Sequence, residues 1–311
     1  MPGKNSTERA IDNIRYRDWT VVREQWLGYI PQITPAGAPP VLPVAAVPGL
    51  AELAEEAALK KSIRTSGEQA DLRSSVFWEG TYLLHKACHI IGGAGVHANE
   101  GLCTWSVSSF YQGGMFAAKA VLYLMGVGLP EFKSKTLLVD IWPEKSPVQR
   151  RAEKKGVKAP PEAQLTHLPV RLDHHTAWYA LLRLVRTSEV YVWPVAFVDA
   201  LRTLDVEEIS DQRNTIHYRH ATWLFDDLHS PASVLEFFDL ERDKDGSLII
   251  DPDRDDFTLV LAVVVLHMAL MLFDSLQELS NRLVGEADLI RAAIGRPANL
   301  IYRRATEAVG M

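Results

Sequence analysis

Arg213, Asn214, His217 and His220 bring together the side-chain types that phosphodiester cleavage without a metal requires. Arginine carries a permanent, forked cation that matches a phosphate, and histidine is the side chain able to accept or give a proton near neutral pH. If residues 206–228 form one helix, Arg213, His217 and His220 stand at i, i+4 and i+7 and share a face. The same residues have a plainer reading, in which Arg213 pairs with Glu208 or Asp211 and the histidines are solvated or half-buried.

A second set of residues suits contact with a polyanion. Lys145, Arg150, Arg151, Lys154, Lys155 and Lys158 are crowded into residues 145–158, and the nearby acids Glu144 and Glu153 offset only part of that charge. The segment reads as a charged, solvated loop, with the first five of these cations as the candidate RNA contact. Of the 8 tryptophans, Trp142 beside this loop and Trp223 beside Arg213 are the ones placed to stack on a base, against the ordinary role of tryptophan as core.

Three further clusters imitate sites. His85, Cys88 and His89 have workable metal-ligand spacing on a helix, but Leu83, Leu84, Ala87, Ile90 and Ile91 around them favour a core position for the cysteine. Asp173, ahead of His174 and His175, reads first as a helix cap. Residues 241–252 resemble a calcium loop until the twelfth position, where the bidentate glutamate is replaced by Pro252, and a turn at Lys244, Asp245 and Gly246 within a short β-hairpin (residues 234–240 and 247–250) accounts for them better. No metal and no cofactor is implied.

Composition narrows the function classes. A chain of 311 residues with 47% hydrophobic content can bury a large core, and a net charge of -6 argues against a protein that coats nucleic acid non-specifically, so any RNA site must be local. Two cysteines cannot build a disulfide framework, and the opening residues lack a secretory apolar stretch, so a cytoplasmic location is expected. Residues 257–273 are almost wholly apolar, yet short for a span, with His267 inside and acidic flanks; they are expected to form a buried central helix rather than to enter a membrane.

The elements that must position the candidate residues are mostly helical. Helices are predicted over residues 8–29 and 50–64, joined by a proline-rich connector, then over 68–91, ended by Gly92, Gly93 and Gly95, and over 105–125. A short strand is predicted at 136–141, and helices again near His174, near Pro194, over 206–228 and over 256–283.

Residues 106–126, SVSSFYQGGMFAAKAVLYLMG, resemble a core helix of HEPN-like domains, and the later Arg213-Asn214 pair strengthens the likeness. The resemblance spans residues 104–283. His220 fits the longest spacing that family uses between its arginine and histidine, whereas the shorter spacing falls on Tyr218 and His217 is one position short. The resemblance implies a mainly α fold, an antiparallel helical bundle at residues 101–311; the β-hairpin read above is an insertion in it, and residues 1–100 read as a helical N-terminal region with a proline-rich connector, outside the resemblance. It also implies a metal-independent endoribonuclease that pairs as a homodimer, acts on RNA and serves a toxin or phage-defence system with an antitoxin or defence-complex partner. On this reading Arg213 holds the phosphate, His220 or His217 moves the proton, and Asn214 orients one of them. The alternative is a catalytically inactive HEPN-like scaffold, sensor or partner-binding protein.

Overall fold

The computed structural model describes residues 5–12, 14, 17–33, 42–66, 70–132, 135–157, 159, 161–170, 172–188, 192–218, 250, 257–277 and 283–294. The chain is mainly helical, with one small antiparallel sheet. It divides into two compact units, one of Met1–Gly80 with Leu122–Val190 and one of Thr81–Val121 with Tyr191–Met311.

The first unit contains α1 (Ser6–Ile11), α2 (Trp19–Ile33), α3 (Leu50–Lys60), β1 (Ser62–Ser66), the first turns of α4 (Ala70–Asn99), the last turn of α5 (Cys103–Leu124), β2 (Val127–Gly128), β3 (Glu131–Phe132), β4 (Lys135–Asp140), α6 (Pro147–Lys154), β5 (Glu162–Leu168) and α7 (His174–Thr187). The sheet order is β1-β5-β4-β2, with β3 also on β4, and every pairing is antiparallel. Leu138 pairs with Thr166 and Ile63 with Leu165, so alternate residues of β4 and β5 point to the same side and bury Leu137, Val139, Ala163 and Leu165.

The second unit holds most of α4 and α5, then α8 (Val195–Thr203), α9 (Val206–Tyr218), α10 (Phe257–Gln277) and α11 (Val284–Ile294). In α10 every residue from Phe257 to Ala269 is buried. The stretch Phe257–Leu276 is long and apolar enough to cross a membrane, and 78% of its most apolar window is buried inside the protein, as expected of a central core helix. Gly114 makes room for it, since a Cβ there would stand 2.9 Å from the Cα of Ala262.

Several sequence expectations are corrected. The helix predicted over 8–29 is two helices: Asp12 closes α1, and Asp18 accepts the Thr20 N–H at 2.8 Å to open α2. The helix predicted over 50–64 stops at Lys60, Lys61 takes a positive φ of 66°, and the following residues join the sheet as β1, where cross-strand pairing outweighs helix propensity. The glycines at 92, 93 and 95 do not end α4, because the buried row Ile91, Ala94, Ala98 continues the apolar face past them; the helix ends at Asn99, before Gly101 with φ 79°. The predicted hairpin, residues 234–240 and 247–250, lies outside the described residues apart from Ile250.

Candidate functional site

Helix α9 opens with reciprocal bonds at its first turn. The Asp205 N–H donates to Glu208 Oε2 at 3.0 Å, and the Glu207 N–H to Asp205 Oδ1 at 3.2 Å. Glu208, one of the two acids weighed as an ordinary surface partner for Arg213, is therefore engaged by the backbone. Val206 and Ile209 are buried, while Glu207, Glu208, Asp211 and Asn214 are exposed. At 3.6 residues per turn, positions 213 and 217 both fall within roughly 20° of Val206 around the axis, so they continue the face that the helix buries rather than the one it exposes. Asn214 stands to one side of that line. The side chains of Arg213 and His217, and the whole of His220, lie outside the described residues.

The basic segment is not a loop, as expected from its charge, but helix α6. Ser146 caps it by accepting the Gln149 N–H at 3.2 Å, Gln149 returns the bond to the Ser146 N–H at 3.1 Å, Pro147 follows the cap, and Gly156 leaves with φ 72°. The motif S-P-x-Q was the available signal, masked by the density of charge. Lys145 pairs with Glu153 at 2.7 Å, and Arg150 reaches Glu144 at 3.7 Å and donates through Nε to the Lys145 carbonyl at 3.0 Å. Arg151, Lys154 and Lys155 are exposed. Arg151 and Lys154 sit in the last turn, where the helix dipole favours cations. Successive positions 150, 151, 154 and 155 form two adjacent rows, so one side of a short helix presents the charge.

The other clusters resolve into structural roles. His85 bonds Glu286 at 2.9 Å, Cys88 is buried with its thiol pushed up to about 12 by desolvation, and no group of three metal-ligating side chains is assembled among the described residues. The metal reading of His85, Cys88 and His89 is thereby replaced by packing. Asp173 caps α7 by accepting the Thr176 N–H at 2.7 Å, and His175 stacks on Tyr179. Trp223 lies outside the described residues, as does the calcium-like loop apart from Ile250; Trp142 belongs to an aromatic cluster with Trp26 and Tyr29. A groove of about 650 Å³ between α3 and the sheet, walled by Ala51, Ala54, Ala58, Phe132 and Thr136, was not anticipated because its walls are far apart in sequence. No protein family, curated protein or solved structure matches the chain.

Proposed function

We propose that the α9 face is the centre of a metal-independent endoribonuclease of the HEPN type, a cytoplasmic toxin or phage-defence component working as a homodimer, with an antitoxin or defence-complex partner. The observation that carries this reading is the course of α9: the helix runs unbroken through Tyr218, so Arg213 and His217 stand one turn apart, on the line continued from the buried Val206 and Ile209. Val206 and Ile209 are buried within the chain itself, and a second copy would meet the helix beyond them, at Arg213 and His217. There the forked guanidinium holds the scissile phosphate and the charge that builds on it, and imidazole takes the proton of the ribose 2′-hydroxyl or delivers one to the departing 5′-oxygen. Asn214 orients one of these groups. A two-fold partner supplies a second arginine and histidine, so that one imidazole acts as base and another as acid. The exposed cations of α6 add sequence-independent contact to RNA.

The test is incubation of the purified protein with mixed RNA in a chelating buffer, followed by analysis of fragment ends. Fragments ending in a 2′,3′-cyclic phosphate are expected, together with a dimer by light scattering. Arg213→Ala and His220→Ala should each slow cleavage by about a hundredfold or more, and His217→Ala by less. A strict monomer, or variants that cut as fast as the parent, overturns the reading. A dimer that cuts no RNA leaves the inactive scaffold in its place.

A further inference from the structure

Arg73, on α4, is 1% exposed, and its guanidinium carbon lies 5.1 Å from the ring centroids of both Tyr29 and Trp142. Desolvation lowers its pKa, with Tyr29 acting in the opposite direction, but an arginine stays charged in any protein. No described carboxylate pairs with it. Its Nη2 reaches only the Glu162 carbonyl, at 3.5 Å, while the Glu162 carboxylate is held by Arg64 at 3.1 Å and by the Ser146 hydroxyl at 2.8 Å. The Nε and Nη1 of Arg73 have no acceptor.

Two neighbours repeat the shortage. Arg17 is 5% exposed; its Nη2 pairs with Asp140 at 2.5 Å and its Nη1 donates to the Met125 and Trp142 carbonyls at 3.2 and 3.5 Å, yet its Nε has no acceptor. The Trp142 indole Nε1–H also has none, although Trp142 is fixed at its backbone by a 2.9 Å bond to Asp140. Unmet nitrogens of Arg17, Arg73 and Trp142 thus belong to three side chains linked through Trp142, whose ring Arg73 faces and whose carbonyl Arg17 bonds, and all are donors. Rearranging them among themselves cannot satisfy donors alone, and a buried donor without a partner costs about 1–3 kcal/mol, more when charged. What fits is a guest that only accepts and carries negative charge.

Beside them is a cleft of about 310 Å³ whose wall includes Arg17, Trp142 and Glu162, with Lys145 and Gln149 at its edge. That volume suits a small ligand. Its carboxylates are already engaged: Asp18 by the Thr20 N–H, Glu144 by Arg150, Glu162 by Arg64. Arg17 and Trp142 belong to the wall itself, while Arg73 lies behind it, against the Trp142 ring and the Glu162 carbonyl. The Trp142 indole, packed on Trp26 at 5.3 Å, on Tyr29 at 5.5 Å and against Gly126, is therefore the part that must move for a ligand to reach all three.

We infer that this cleft is a binding site for a small phosphate-bearing molecule, up to the size of a mononucleotide, whose oxygens accept from Arg73, Arg17 and Trp142. The site stands on residues of the sheet-bearing unit and does not depend on the reading of α9. Calorimetric titration of the full chain at constant ionic strength in chloride, with inorganic phosphate and separately with AMP, tests it. Saturable binding of at least one probe is expected; binding of AMP alone identifies a phosphomonoester, and binding of both a free-phosphate site. Arg73→Met should weaken binding by about tenfold or more while the unliganded protein stays as stable as the parent, because an unpaired buried charge is replaced by an apolar chain of similar length. Trp142→Phe should bind more weakly and lose the ligand-induced fluorescence change. If the parent binds neither probe at millimolar concentration, or Arg73→Met binds as the parent does, the proposal is overturned and internal water meets these donors.

Discussion

The two units bury ionisable groups in different ways. Among the described residues the sheet-bearing unit buries Arg17 and Arg73, whereas the helical unit buries His267 within α10 and Cys88 within α4. Desolvation moves both of the latter toward neutrality, His267 down to about 4 and Cys88 up to about 12, so at neutral pH neither carries charge and the apolar helices around them lose little. Guanidinium has no such escape. Each buried arginine must find a counter-charge, a π face or a ligand, and Arg17 has the first while Arg73 has only the second. The difference explains why a buried donor that is permanently charged lacks an acceptor in the sheet-bearing unit.

The largest effect that would sharpen this contrast is at Arg17. Arg17→Ala strands the Asp140 carboxylate, 13% exposed at its side chain, among groups chosen to neutralise it. A loss of about 3–5 kcal/mol in urea denaturation is expected, the usual cost of removing one partner of a buried pair. The double variant Arg17→Ala with Asp140→Ala should recover part of it. A loss below about 1 kcal/mol would mean that the pair contributes no more than a surface one, and the contrast between the units would fail.

In the helical unit the corresponding effect is set by pH. His267, 7% exposed, binds its proton less tightly folded than unfolded, since its folded value of about 4 lies below the ordinary value of 6.5. Its contribution to stability is therefore present above about pH 6.5 and is lost as pH falls toward 4, because only the unfolded chain gains a proton in that window. The slope is about 1.4 kcal/mol per pH unit. Comparing the unfolding free energy of the parent and of His267→Met at pH 7 and pH 5 isolates it; the parent should lose more over this interval. Equal losses would show that the imidazole is protonated in the folded state after all.

How much of this was legible in the sequence depended on the range of the forces involved. The cap at Asp173, the apolar run of α10 and the strand at β4 are local patterns, and all three stand where residue spacing put them. Strands β1 and β5 were missed because each is a short alternating segment that becomes a strand only by pairing across a separation of about a hundred residues, Ser62 with Thr166. The same holds for the buried arginines: nothing near Arg17 indicates that it will meet carbonyls at positions 125 and 142, or near Arg73 that two aromatic faces will enclose it. On α9 the spacing of Arg213 and His217 was legible, since helical periodicity fixes it. That the line continues a buried face required the positions of Val206 and Ile209.

The smallest expected effect tests the charges that neither unit buries. The cations of α6 are solvated, and their own ion pairs, such as Lys145 with Glu153, contribute no more than about 1 kcal/mol each. What holds them in one array is the helix, and the helix depends on Ser146, whose hydroxyl accepts the Gln149 N–H and donates to Glu162. Ser146→Ala should cost about 1 kcal/mol of global stability, the ordinary value of a cap. Its local effect should be larger, with faster amide exchange over residues 147–154, while Ser146→Thr retains the cap. If α6 contacts RNA, the alanine variant should also bind RNA more weakly and with a shallower salt dependence than the threonine variant, because a frayed helix scatters the charges that must displace counterions together. Equal RNA binding by the two would assign α6 to solubility alone, and leave the charged surface without a ligand.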